Sequence, residues 1–202
     1  MPFPKQSCQR LQRLCQKIAS CPQEKSCSLP EVKKSVPGIW IGRTTNNPVM
    51  FVGESLGREE VRLGKPFVGD AGEILADILI DLNWLNGIWL TNLCKCKPPG
   101  NRNPSIEEGD TCGDFLLEEI KIIEPRGIVC LGRVATEFFL RRLNRSMSGS
   151  LRGKQFRFNS TPVLCTWHPA AHLYDKSGTK KPELQTDIKL ARQIFSKSLP
   201  WK

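Results

Sequence analysis

No apolar run in this chain approaches the roughly 18 residues that a membrane span needs. The opening residues, MPFPKQSCQRLQR, hold no apolar core of a secretion signal, so the expected location is a cytoplasm. Neither GxGxxG nor GK[ST] occurs, which excludes the dinucleotide fingerprint and the phosphate loop. CxxC is absent too, although the chain carries nine cysteines. An odd cysteine count without a secretion signal favours metal binding or buried thiols over a disulfide framework. Histidine is scarce, with two in the chain. Internal repeats and long low-complexity linkers are missing, so residues 1–202 read as a single domain.

What is abundant is positive charge. Lys and Arg total 30 against 20 Asp and Glu, a formal charge of +10. Such a balance attracts polyanions, nucleic acid ahead of an anionic membrane because no basic amphipathic helix stands out. A merely soluble basic surface fits the charge equally well.

Four short apolar runs, 48–53, 87–93, 127–132 and 162–167, read as buried parallel strands. They are near-continuous rather than alternating, as expected when both faces of a sheet are covered. Helical patterns separate them. Ile74, Leu75, Ile78, Leu79 and Leu82 share one face. Ser105 and Glu108 form a capping box that opens a helix bearing Leu116, Leu117, Ile120 and Ile123. RVATEFFLRRL gives another helix, and two more lie near 5–20 and 183–198. FRFNSTPVL reads as a hairpin turning at Asn159–Ser160. Segments 28–47 and 174–182 are expected as flexible loops. The pattern predicts an α/β fold of three layers, with a central four-stranded parallel sheet flanked by helices.

Ligands of such sheets bind at the carboxyl ends of the strands, and the distinctive residues gather there. GESLG (53–57) makes a tight turn after the first strand. Glu54 and Glu60 are candidate acid–base or water-orienting groups. Phe67, fixed between proline and glycine in GKPFVG, is placed to stack on a base. Asn92 offers one acceptor and two donors at a strand end. His168 follows the last strand in HPA. Cys96 and Cys112 flank a basic loop, while Cys8, Cys15, Cys21 and Cys27 stand near the N-terminus. Thiols from two distant segments could close one zinc or iron–sulfur site, or remain free and partly buried. Cys130 and Cys165 read as small hydrophobes in strand cores.

In order along the chain stand GESLG, GKPFVGDAG, TNLCKCKPPGNRNP, Cys112 and HPA. This series resembles the iron–sulfur (family 4) uracil-DNA glycosylases, whose pattern runs GExPG, GxPFVGxAG, TNxxKCRPPxNRxP, a later cysteine and HPA. The resemblance implies a [4Fe–4S] cluster on Cys96, Cys112, Cys27 and Cys21, with Cys15 as the rival to Cys21 because CPQEKSC is wider than the family's CxxC. Cys94 is not made a ligand. Ser55 and Leu56 stand where the family has a small residue and proline, and Lys97 where it has arginine.

The resemblance also implies uracil-containing DNA as the partner, a bacterial or archaeal cytoplasm, and a monomer by default. A flipped uracil would stack on Phe67 and hydrogen-bond Asn92. His168 and backbone N–H groups near Ser55 would stabilise the leaving anion. Glu54 would orient water, and Glu60 would crowd the C5 position against thymine. Lys65, Lys95, Lys97 and Arg102 would hold DNA, with Leu173 as a wedge. Two rivals stand beside the enzyme: a non-catalytic or covalently trapping binder of uracil-DNA, and a cysteine-ligated zinc or electron-transfer module that binds nucleic acid through charge.

Overall fold

The apolar runs become strands because each alternates its side chains between two packed faces. A computed structural model gives the structure, and it describes residues 3–21, 27, 29 and 34–196. In chain order the elements are α1 (Lys5–Ala19), β1 (Ile39–Ile41), β2 (Val49–Gly53), α2 (Arg58–Leu63), α3 (Asp70–Asp81), β3 (Ile88–Asn92), α4 (Ile106–Ile123), β4 (Gly127–Leu131), α5 (Arg133–Arg142), β5 (Gln155–Phe158), β6 (Thr161–Thr166) and α6 (Lys180–Ser196). The sheet order is β1-β3-β2-β4-β6-β5.

The expected four strands form the parallel centre, β3-β2-β4-β6. An antiparallel strand closes each edge, so the sheet has six strands rather than four. β5 is the first arm of the expected hairpin, with Asn159 in the left-handed region at its turn. β1 lies inside the segment expected as a loop; three residues are too few to show a period. Residues 28 and 30–33 of that segment, and 197–198 of the expected last helix, lie outside the described residues.

Alternation divides the core into two layers. Met50 and Val52 of β2, Trp89 of β3 and Ile128 and Cys130 of β4 pack with Leu11, Leu14 and Ile18 of α1, Leu116 of α4 and Phe138 and Phe139 of α5. Val49, Phe51, Ile88, Leu90, Val129 and Leu131 face the other way, onto Ile74, Leu75 and Ile78 of α3 and Leu184, Ile188 and Phe195 of α6. Cys130 and Cys165 are paired in register inside this sheet and are fully buried, as expected of small hydrophobes. The capping box forms as read: Ser105 Oγ accepts from the Glu108 N–H at 3.2 Å, and Glu108 accepts from the Ser105 N–H at 2.7 Å. The parallel centre therefore points the carboxyl ends of β3, β2, β4 and β6 to one edge of the sheet.

Candidate active site

Those strand ends open into a cleft of about 530 Å³, lined by Glu54, Ser55, Glu60, Phe67, Asn92, Arg102, His168 and Leu173 among others. Gly53 and Asn92 are in register at the ends of β2 and β3. A Cβ on Gly53 would sit 2.4 Å from both Asn92 Oδ1 and Phe67 Cζ, so the ring and the amide meet over a bare backbone. Asn92 is 3% exposed, and its Oδ1 is buried with no hydrogen-bond partner among the described residues. Such an orphan acceptor is costly unless a ligand satisfies it.

Phe67 sits at φ +55°, a conformation that bulky side chains rarely adopt. Its surroundings impose it. The start of α3 packs so closely that a Cβ on Gly72 would lie 2.0 Å from the Phe67 carbonyl oxygen. On the other side Glu60, 8% exposed, accepts from the N–H groups of Gly57 (3.0 Å), Val68 (2.9 Å) and Gly69 (2.9 Å). Both Glu60 oxygens are thus spent on backbone. Glu60 lines the cleft as expected, but as a strut between the turn after β2 and the Phe67 loop.

Glu54 differs. It is half-buried, its carboxyl has no hydrogen bond or ion pair among the described residues, and burial raises its pKa above the ordinary 4.5. Burial acts on His168 in the opposite sense: it lowers the imidazole to about 4, with Glu60 pulling weakly the other way. The Ala170 N–H donates to His168 Nδ1 at 3.2 Å, which leaves Nε2 as the protonated nitrogen of a neutral ring. The cleft therefore combines a neutral donor, an orphan amide and an unpaired carboxylate.

The expected cations separate into groups. Lys65 is exposed and lies outside the cleft lining. Arg102 lies at the mouth, but its fork is engaged by Glu108 at 2.6 and 2.7 Å. Lys97 is a correction: it is 9% exposed, its Nζ lies 3.5 Å from Pro98 O, and it is held in the protein rather than offered on the surface. Lys95 is a second correction, with 1% exposure and an ion pair to Glu119 at 2.8 Å. Leu173, at the cleft mouth, is 47% exposed, as a wedge requires.

Behind the cleft the cysteines collect. Burial pushes the Cys96 thiol up to about 11, against the hydrogen bond with Ser35, and Cys112, Cys21 and Cys27 add to the rise. Burial likewise raises Cys27, with Cys112 and Cys21 contributing. These four thiols share one neighbourhood. Cys15, raised by burial to about 11, has Glu119 and Lys95 as its charged neighbours instead. The Lys95 N–H donates to Cys112 Sγ at 3.1 Å, and Ser35 Oγ lies 3.1 Å from Cys96 Sγ. Among the described residues no three His, Cys, Asp or Glu side chains converge as ligands of one ion. Ligands of a four-iron cluster instead surround a volume, one thiolate to each iron.

Ser35 and Glu119 escaped the sequence reading. Ser35 gave no signal. Glu119 did: it falls on the buried stripe of α4 with Cys112, Leu116 and Ile123, where an acid is out of place.

A family model described as the uracil DNA glycosylase superfamily matches residues 40–190. Within that superfamily the chain belongs with the type-4 uracil-DNA glycosylases. The enzyme of that name from Archaeoglobus fulgidus is 33% identical over 198 residues, 94% of this chain and 96% of the relative. That from Sulfurisphaera tokodaii is 33% identical over 193 residues, 91% of this chain and 84% of the relative. That from Saccharolobus solfataricus is 35% identical over 172 residues, 81% of this chain and 77% of the relative.

Proposed function

We propose that this chain removes uracil from DNA by hydrolysing the bond between N1 of the base and C1′ of the sugar. The observation that carries the reading is the orphan Asn92 oxygen beside the Phe67 ring. A uracil slid onto that ring offers N3–H to Oδ1 and O4 to the amide N–H groups. Cytosine reverses both polarities, leaving buried groups unpaired, and a site of this kind rejects such a partner strongly.

A nucleotide must leave the stack to reach this cleft, and Leu173, exposed on the cleft lining, would fill the gap it leaves. The C1′–N1 bond breaks with its electron pair going to the base. The neutral His168 donates Nε2–H to O2, where the charge develops, and backbone N–H groups near Ser55 assist. Glu54 faces the cationic sugar, orients a water and takes its proton as the water oxygen bonds C1′. Glu60 keeps Phe67 in place and, by position, limits room beside the base. Arg58 and Arg102 are the cations that line the cleft, and the exposed Lys65 lies outside it.

Cys21, Cys27, Cys96 and Cys112 would hold a [4Fe–4S] cluster. Their shared neighbourhood, the Lys95 N–H donated to Cys112 and the Ser35 hydroxyl beside Cys96 support the fit. Bound there, the cluster supplies a cross-link between the N-terminal segment and the loop after β3, since hydrolysis transfers no net electrons. No described helix is long and apolar enough to cross a membrane.

The test is uracil release from a single-stranded, uracil-containing oligonucleotide, with Asn92→Ala in parallel. Turnover by the native protein that falls by orders of magnitude in the variant is the expected result. A folded, DNA-binding protein that yields no abasic site would sink the reading.

A further inference from the structure

Lys95 and Glu119 form a buried ion pair with no role in the chemistry above. The Lys95 side chain is 1% exposed and that of Glu119 is fully buried. An ammonium has three donors, and here each has an acceptor: Glu119 Oε2 at 2.8 Å, Thr91 Oγ1 at 2.7 Å and the Asn92 carbonyl at 2.7 Å. Thr91 Oγ1 in turn donates to Glu119, at 3.0 and 3.2 Å from its two oxygens. Burying two charges brings little net stability compared with apolar residues of like volume. The pair's position is more telling than its energy. It grips the peptide of the residue whose side chain meets the base.

The same lysine reaches the cysteine cluster through its main chain. Its N–H donates to Cys112 Sγ, and its carbonyl accepts from the Val36 N–H at 2.7 Å. Its neighbours stitch the cysteine segment to the turn after β2. The Cys94 N–H donates to the Glu54 carbonyl at 2.9 Å, and the Leu56 N–H to the Cys96 carbonyl at 3.3 Å. One residue thus ties the thiol site to the reading amide.

We propose that Lys95, held by Glu119, is a positioning residue that fixes the Asn92 peptide so that its amide oxygen faces the base, and so couples the cysteine site to uracil selection. The proposal rests on the uracil reading of the cleft. Without the pair, the Leu93 N–H to Gly53 carbonyl bond, at 3.0 Å, is left to hold the peptide of the Asn92 carbonyl, and the peptide tilts about that bond. The amide then rotates with it, and the contrast between uracil and cytosine narrows.

A double-mutant cycle tests this. Lys95→Met/Glu119→Leu removes both charges together, so neither is left buried alone. Lys95→Met/Glu119→Gln keeps a hydrogen-bond partner for Thr91 and again leaves no lone buried charge, should the first pair replacement not fold. Each is made in the native and Asn92→Ala backgrounds, matched for iron content and folding. The readouts are kcat/KM for uracil release and the ratio of uracil to cytosine excision. The expected result is a loss of 10-fold or more in kcat/KM with a narrowed ratio in the native background, and no further loss with Asn92→Ala. Losses that add across the two backgrounds overturn the proposal. So does a fall in thermal stability with kcat/KM and the ratio unchanged. A native protein that releases no uracil is the separate failure of the glycosylase reading. The same cycle is then scored on affinity for uracil- against thymine-containing oligonucleotides, where additive losses again overturn the positioning role.

Discussion

The rings of Phe67 and His168 face each other across the cleft, with centroids 6.2 Å apart and planes 27° apart. A histidine in this setting is worth more neutral than charged. Burial holds it at about 4, against the ordinary 6.5, and Ala170 fixes its tautomer. In the unfolded chain the ring takes its proton near 6.5. Stability should therefore decline as pH falls below 6.5, and the loss should be complete below about 4. His168→Gln removes that dependence. Melting temperature against pH should be flatter for the variant across this window, and an unchanged slope would assign the acid sensitivity elsewhere.

A methyl group on Gly53 has no room. At 2.4 Å from both Asn92 Oδ1 and Phe67 Cζ, it would push the amide or the ring out of line. Gly53 ends a paired strand with ordinary backbone torsions, so the cost in stability should stay near the 1–3 kcal/mol of an overpacked site. The cost in activity should be larger, about 100-fold or more in kcat/KM, because a small misplacement of reading groups is magnified in rate. Uracil release and a denaturation curve on Gly53→Ala separate the two effects.

The two candidate first ligands make opposite predictions. Cys96 and Cys27 sense Cys21 among their neighbours, whereas Cys15 faces Glu119 and Lys95. Cys21→Ser should lower the iron-to-protein ratio and bleach the visible absorbance. Cys15→Ser should leave both unchanged. The reverse pattern would move the ligand to α1.

Elements that depend on local pattern were legible in the sequence. The central strands are apolar runs and the capping box is a spacing of three, so neither needs the rest of the fold. The ion pair of Lys95 and Glu119 joins residues 24 apart, and nothing local marks Lys95 as buried. Beside Lys97 and Arg102 it reads as one more basic residue in a loop. The structure buries two of the three and locks the third onto Glu108. Glu60 misleads in the same way. As a charge at a helix start it gives no hint of the backbone N–H groups of residues 68 and 69 that close over it. Asn92 and His168 were legible because they stand at or just past the carboxyl ends of β3 and β6, which a parallel sheet points the same way, whereas Phe67, in the loop between α2 and α3, was legible through the GKPFVG motif.

Glu54 supplies the acid side of the rate profile. Its carboxyl is raised above 4.5 by burial, with no cation beside it to oppose the rise. It works as a base, so it must be ionised. Activity should fall with unit slope as pH drops through this raised value, from a plateau on the alkaline side. His168 adds nothing to that limb above about 4, since it stays neutral throughout. In Glu54→Gln the limb should vanish, and kcat on the plateau should fall by about 100-fold to 10,000-fold, the range for a positioned acid–base group. Stability should change little or rise, because removing an unpaired half-buried charge relieves a desolvation cost. Single-turnover rates on a uracil-containing oligonucleotide from acid to neutral pH decide the point. A variant that keeps the limb would transfer the role of base to another carboxylate of the cleft, and Glu60, with its oxygens already committed to backbone N–H groups, is poorly disposed to take it.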